Sequence, residues 1–301
     1  MTLLTFFTAP KPMTNPHIAT IQRNAIQSWI ALGAEVEVLV IGEEDGLAEV
    51  CAELRVKHLP EVARNTSGTP LVSSIFDLAR RHGKGKYLAY VNADIILLPD
   101  VLATTRQITE QARDFLVVGQ RWDLDVHHML AFDPGWEVRL MERARSEGKL
   151  HPRGGSDYFV YPRHCFQQVP DFAIGRAGWD NWMFYEARRR GWLLVDGSHD
   201  IQIIHQNHDY SHLPHGQPHY RLPETAENVR MAGGRRTIFS LLDCNKQSVN
   251  GKLRAADLSW AKFWREVEIF PLVRLHSMAL AQLAFALIHP SKAWIEFRRK
   301  K

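Results

Sequence analysis

Short apolar runs alternate with helical periodicity along most of the chain. Leu3 to Phe7 is an apolar run that stops at Thr8-Ala9-Pro10-Lys11-Pro12, where two prolines demand a loop. Asn15 can cap a helix with Pro16 at its first position; Ile18, Ile21, Ala25, Ile26 and Trp29 then recur at helical spacing until Gly33. Val36 to Ile41 predicts a second strand, Glu43 to Leu54 a helix, and Val56 to Leu59 a third strand. Pro70 to Arg81 is helical by period and Tyr87 to Val91 is a strand. After Asp100 the pattern predicts a helix to about Arg113, a strand over Phe115 to Val118, a polar stretch from Gln120 to His128, and a helix over Pro134 to Glu147. Gly154 and Gly155 break the chain before the strand Tyr158 to Tyr161; Asp180 to Arg190 is a helix, and Trp192 to Val195 and Ile201 to Ile204 are strands.

This alternation predicts parallel β-α-β units, hence an α/β, Rossmann-type, mostly parallel sheet with helices on both faces. Ligands of such sheets bind beyond the carboxyl ends of the strands. Three segments fall there: Thr8 to Lys11, Arg64 to Thr69, and Asn92 to Asp94. Beyond His219 the pattern becomes less regular, so the expected organisation is a catalytic unit over 1–220 and a helical extension over 221–301.

Composition narrows the class. The chain has 301 residues, 45% of them apolar, as a packed globular enzyme requires. Its net charge of +4 and pI near 9.0 are a mild bias, part of it in Arg298, Arg299, Lys300 and Lys301. No stretch interleaves aromatic with basic residues as a single-strand groove would, so nucleic acid is not an expected partner. Cys51, Cys165 and Cys244 are far apart and form no CxxC pair, which supports neither a disulfide framework nor a zinc knuckle and fits a reducing cytoplasm. The first apolar run lacks a basic n-region and is too short for a signal peptide.

The chemistry concentrates in Lys86-Tyr-Leu-Ala-Tyr-Val-Asn92-Ala93-Asp94-Ile-Ile-Leu-Leu-Pro99-Asp100. A buried strand runs into a short polar turn and the chain becomes apolar again at once. The segment resembles the DxD element of GT-A glycosyltransferases, down to the Pro-Asp that follows the second apolar run. The resemblance covers about residues 1–210. It implies a nucleotide-sugar donor held at Asn92, Ala93 and Asp94, with Mn²⁺ or Mg²⁺ neutralising the departing diphosphate. Asp94 would be the direct ligand. Asn92 stands where the family has its first Asp, and its neutral oxygen suits a ribose hydroxyl or a bound water. Asn and Asp also form turns readily, which accounts for the same residues without a ligand.

Other segments support the resemblance. Thr8, Ala9 and Pro10 end the first strand, where GT-A folds cradle base and ribose, and Arg64 follows the third strand, within reach of base or diphosphate. Gly178-Trp179-Asp180-Asn181 opens a helix; Asp180 either serves the helix terminus or, as in inverting members of the fold, deprotonates the acceptor hydroxyl. Trp179 and Asn181 flank it on the acceptor side. In Gly154-Gly155-Ser156-Asp157 the glycines either punctuate a turn or let backbone approach a ligand, with Gly155, Ser156 and Asp157 facing sugar or acceptor. Histidines crowd between His199 and His219; His205, after an apolar strand, resembles the histidine that completes the family's metal shell, with His208 as its alternate.

From Trp260 to Lys301 the chain is rich in Trp, Phe, Leu, Arg and Lys, and Met278 to Ile288 is nearly all apolar but too short to span a bilayer. These residues suit either helices packed on the catalytic unit or on a second subunit, or a peripheral membrane contact. The expected function is inverting, metal-dependent transfer of a sugar to a hydroxyl of a glycan or lipid-linked acceptor. Two alternatives stand beside it: a sugar nucleotidyltransferase, disfavoured by a glycine-free first loop, and a catalytically silent sugar-binding protein, favoured by Asn92.

Overall fold

The computed structural model describes residues 1–208 and 222–298. The elements run in the order β1 (Leu4–Thr8), α1 (Pro16–Ile30), β2 (Val36–Ile41), α2 (Leu47–Leu54), β3 (Lys57–Leu59), α3 (Val72–His82), β4 (Tyr87–Val91), β5 (Ile95–Leu97) and α4 (Asp100–Gln111). Then follow β6 (Phe115–Val118), β7 (Trp122–Leu124), α5 (Trp136–Glu147), β8 (Lys149–Leu150), β9 (Tyr158–Pro162), α6 (Trp179–Arg189), β10 (Leu193–Asp196) and β11 (Ile203–Gln206). The last part holds α7 (Pro223–Met231), β12 (Lys246–Val249), β13 (Lys252–Ala255), α8 (Trp260–Val273), α9 (Met278–Ile288) and α10 (Pro290–Arg298).

The main sheet has the order β13-β12-β10-β6-β9-β4-β1-β2-β3, and the mostly parallel α/β architecture is as expected. β1, β2, β3 and β4 are mutually parallel neighbours, as are β6, β10 and β12, whereas β9 runs antiparallel between β4 and β6. Side chains of a strand alternate between faces. Phe7, Leu39, Ile41, Leu88 and Tyr90 therefore face α3 and α6, while Phe6, Val38, Val40, Ala89 and Val91 face α1 and α4. Both faces are buried, as a parallel sheet demands. Fully burying each large apolar side chain contributes roughly 1.5–3 kcal/mol.

A second sheet, β5-β11-β7-β8, packs on α5 through Ile96, Leu98, Leu124, Leu140, Met141 and Ile204. α1 fastens it to the main body. Trp29 Nε1 donates to Ile95 O at 2.9 Å, and the buried Gln206 accepts from Asn24 Nδ2 at 3.0 Å and donates to Ile21 O at 2.7 Å.

Several boundaries move, each for a local reason. α3 begins at Val72, not Pro70, because Pro70 and Leu71 are drawn into extended pairing with Arg64 and Ala173. α2 begins at Leu47, after a loop turned by Gly42 (φ 124°) and Gly46 (φ 76°). The strand expected over Ile201 to Ile204 is Ile203–Gln206: Ile201 N is held in a turn by Gly197 O (2.8 Å) and Gln202 N by Asp100 Oδ2 (3.0 Å), so pairing starts later. His205 thus lies inside β11 and not after it. The segment expected as a helical extension also supplies β12 and β13 to the edge of the main sheet beside β10. No described helix is long and apolar enough to cross a membrane.

Candidate active site

β1 and β4 are parallel and in register, Phe7 beside Tyr90, so the loops after Thr8 and Val91 leave the same edge of the sheet. β9 runs against β4 with Val91 opposite Tyr158, which sets Asp157 beside Asn92. Asn92 N donates to Asp157 O at 2.9 Å and Asn92 Nδ2 to Asp157 Oδ1 at 2.8 Å. The amide of Asn92 is thereby committed to a neighbouring carboxylate.

The small sheet completes the site. β11 pairs with β5 and β7 so that His205 lies opposite Ile95 on one side and Asp123 on the other. This register brings His205 Nε2 to 3.8 Å and Nδ1 to 3.2 Å from Asp94 Oδ2 and Asp123 Oδ1 respectively, the second contact being off the hydrogen-bond axis. His208 Nε2 lies 3.1 Å from Asp94 Oδ2 and 3.1 Å from Lys11 Nζ. One donor atom from each of Asp94, His205 and His208 lies within 4.8 Å of the others. Asp94 Oδ1 is buried and has no hydrogen-bond partner among the described residues.

Behind the cluster stands a charged network. Arg121 Nε donates to Asp123 Oδ1 and its Nη1 to Asp157 Oδ2, each at 2.8 Å, and His151 Nδ1 meets Asp123 Oδ2 at 2.7 Å. Burial alone would raise the Asp94 and Asp123 carboxyls. The His208 contact and the His205 and Lys11 charges instead hold Asp94 well below the usual carboxylate range, and His205, His151 and Arg121 do the same for Asp123. Burial would lower His205, but Asp123 and Asp94 raise it above its ordinary value. Burial pushes Asp180 upward, aided by Asp157, although the backbone N–H groups of Asn181 and Gly178 oppose the shift.

The sequence candidates divide accordingly. Asn92, Ala93, Asp94, Asp157 and His205 come together at the cluster. Asp180 lies in the first turn of α6, accepts from Gly178 N at 3.2 Å, and faces Gly155, where a Cβ would sit 3.2 Å from its Oδ2. Ser156 is buried with its hydroxyl engaged by Gly119 and Tyr158 backbone. Trp179 packs in the core against Tyr90 and Phe159, and Asn181 Nδ2 donates to Phe239 O at 2.7 Å. At the end of β1, Thr8 and Pro10 are buried, Thr8 Oγ1 lacks a hydrogen-bond partner among the described residues, and Ala9 packs on the core. Arg64 is held by Glu44 at 2.9 Å, Glu43 at 3.4 Å and Gly68 O at 2.9 Å, so its charge is largely met inside the protein.

The sequence pattern does not single out Lys11, Arg121, Asp123 or His151 as site residues. Only their location signals them: Lys11 in the loop after the first strand, Arg121 and Asp123 in the polar stretch before the long helix. The later histidines of the crowd, His212, His215 and His219, lie outside the described residues.

No family model and no curated protein matches the chain. Among solved structures it is similar to S. aureus TarS 1–349 at 9% identity, TM-score 0.42, covering 69% of this chain and 59% of that one. It is similar to the same protein in complex with UDP-GlcNAc at 12% identity and TM-score 0.48, covering 93% and 76%. It is also similar to the mannosyltransferase PcManGT from Pyrobaculum calidifontis in complex with GDP-Man and Mn²⁺, at 13% identity and TM-score 0.46, covering 100% and 80%. The chain thus spans less than two thirds of the first of these. With every TM-score below 0.5, function has to be read from the site's own residues.

Proposed function

We propose that the protein is a GT-A-type glycosyltransferase that binds a nucleotide-diphosphate-sugar at the carboxyl ends of β1 and β4. The sugar passes to a hydroxyl of a glycan or lipid-linked acceptor. One observation carries this reading: Asp94, His205 and His208 converge from the turn after β4, from β11 and from the segment after β11, and Asp94 Oδ1 is buried without a partner among the described residues. Unpartnered buried carboxylate oxygen is costly, and a cation would satisfy it.

The residues fit a divalent metal. Asp94, His205 and His208 would hold it; bound, Mn²⁺ or Mg²⁺ would supply the charge that neutralises the departing diphosphate. Two imidazoles beside one carboxylate favour Mn²⁺ of the two, because Mg²⁺ strongly prefers all-oxygen surroundings. The second ring nitrogen of His205 faces a carboxylate, as metal-binding histidines commonly do.

The chain's own groups support the rest of the reaction. Lys11 brings a cation to the loop that would border the phosphates, 3.1 Å from His208. Asp180, raised above an ordinary carboxyl by burial, is a stronger base than an exposed aspartate and suits removal of the acceptor proton. Gly155 leaves the space beside it open. Attack assisted from Asp180, opposite the leaving diphosphate, would invert the anomeric centre.

A thermal-shift screen of nucleotide-sugars with Mn²⁺ tests the donor. A ligand at about a hundred times its dissociation constant stabilises by roughly 2.7 kcal/mol. Donor turnover that survives unchanged in Asp94→Ala with excess chelator would overturn the metal assignment. Release of pyrophosphate in place of sugar transfer would identify a nucleotidyltransferase.

A further inference from the structure

We propose that α8, α9 and α10 form a platform that docks the protein on an anionic lipid surface. The proposal rests on these helices and not on the transferase reading, so each can fail without the other.

The first observation is that the first half of α8 turns polar side chains inward, while only Ile269, Leu272 and Val273 near its end join the core. Its polar side chains face the protein: Lys262 Nζ donates to Leu242 O and Cys244 O at 2.7 Å, Arg265 Nε to Asp243 Oδ1 at 2.7 Å, and Glu266 accepts from Arg188 at 2.8 Å. Trp260, Phe263, Trp264, Val267 and Phe270 form a helical stripe on the opposite, exposed side, Trp260 being 74% exposed. In α9, Ala281 and Phe285 are buried while Leu280, Leu283 and Leu287 stand outward, Leu287 at 73% exposure. α10 buries nothing and exposes Trp294 and Ile295. Large exposed apolar side chains in such numbers on three successive, mutually packed helices mark a contact site.

Charge decides what fits it. After Leu258 the sequence has three acidic residues and eight basic ones. All three acids are spent inside: Glu266 on Arg188 and Lys262, Glu268 on Arg265 and His289, and Glu296 on Arg236 at 2.7 Å. Arg236 also lies 3.3 Å over the Phe285 ring, pinning α9 and α10 together. Among the described residues the exposed charges of this region are Arg274, Lys292 and Arg298, and the sequence continues with Arg299, Lys300 and Lys301. A second copy meeting the same face across a two-fold axis would set basic against basic. An anionic bilayer surface instead complements both features, with tryptophans suited to the headgroup level and lysine and arginine to the lipid charge. With no described helix long enough to span, the platform lies on the surface and does not cross it.

The test is co-sedimentation of the full chain with vesicles of phosphatidylcholine alone or mixed with phosphatidylglycerol. The chain should partition onto the mixed vesicles and not onto the neutral ones. Arg274→Gln with Lys292→Gln should lower that partition about twenty-five-fold, since each basic residue near the surface contributes about fivefold. Leu283→Glu with Leu287→Glu, both exposed, should release the protein while its melting temperature stays unchanged. Three results would overturn the proposal: no binding to anionic vesicles, equal binding to both compositions, or a dimer in solution that Leu287→Glu dissociates without any vesicle binding.

Discussion

Asp123→Asn probes whether the register of the small sheet builds the proposed metal site. In the wild-type protein Asp123 faces His205 Nδ1 at 3.2 Å and is itself fixed by Arg121 at 2.8 Å and His151 at 2.7 Å. The negative charge beside Nδ1 favours the tautomer that carries its proton there and leaves Nε2, 3.8 Å from Asp94, as the lone-pair nitrogen. Partners of this kind are worth roughly 10- to 100-fold in metal affinity, or about 1.4–2.7 kcal/mol. Isothermal titration with Mn²⁺ on the donor-free protein, at a pH high enough for His205 to be neutral, should show that loss. The pH dependence should move the other way. His205 is raised by Asp123 and Asp94 despite its burial, so protons compete with metal from a higher pH than for an ordinary histidine. Removing the Asp123 charge lowers that pKa, so proton competition in the variant begins at lower pH, although its affinity is weaker where His205 is neutral. Unchanged Mn²⁺ affinity where His205 is neutral, with an unchanged pH profile, would refute an orienting role for Asp123.

Four other outcomes are expected. Asp180→Asn should lower kcat at least about a hundredfold with little change in donor affinity, since a general base acts only in the transition state; retained anomeric configuration by NMR would assign Asp180 another task. Asn92→Asp, which gives the turn the first acid of the DxD element it resembles, should be harmful here, because its side chain would face Asp157 where Asn92 Nδ2 now donates at 2.8 Å; a loss of about 1–3 kcal/mol should appear in urea unfolding of the metal-free protein. Gly155→Ala would set a methyl 3.2 Å from Asp180 Oδ2 and should reduce turnover while leaving Mn²⁺ affinity intact, a split that steady-state kinetics beside titration would reveal. Burial raises Asp100 to about 6, so the folded state binds the extra proton and stability falls as pH rises through the window from the ordinary carboxyl value to 6. Asp100→Asn can still accept from Gln202 N, and thermal unfolding should show it gaining stability relative to wild type as pH rises across that window.

Local physics makes much of the fold legible. The apolar runs at Leu4–Thr8, Val36–Ile41, Tyr87–Val91 and Phe115–Val118 are buried strands because both sheet faces are covered, and Asn15 does cap α1, accepting from His17 N and Ile18 N. The Asn92-Ala93-Asp94 turn is visible because a short polar break between two apolar runs is where a buried strand must surface and reverse. What stays hidden depends on contacts distant along the chain. β7 (Trp-Asp-Leu) and β12 (Lys-Gln-Ser-Val) are too short and polar to show a strand period, and they become strands only because β11 and β10 offer them backbone partners. The insertion of β9 against β4, which sets Asp157 on Asn92, is a choice of sheet order that no local pattern encodes. His205 faces Asp94 and Asp123 because of a register, and register is fixed by packing across the sheet. The outward stripe of α8 follows the same logic: its helical period is plain in the sequence, but only the inward anchors Arg188 and Asp243, far from it along the chain, decide which side meets solvent.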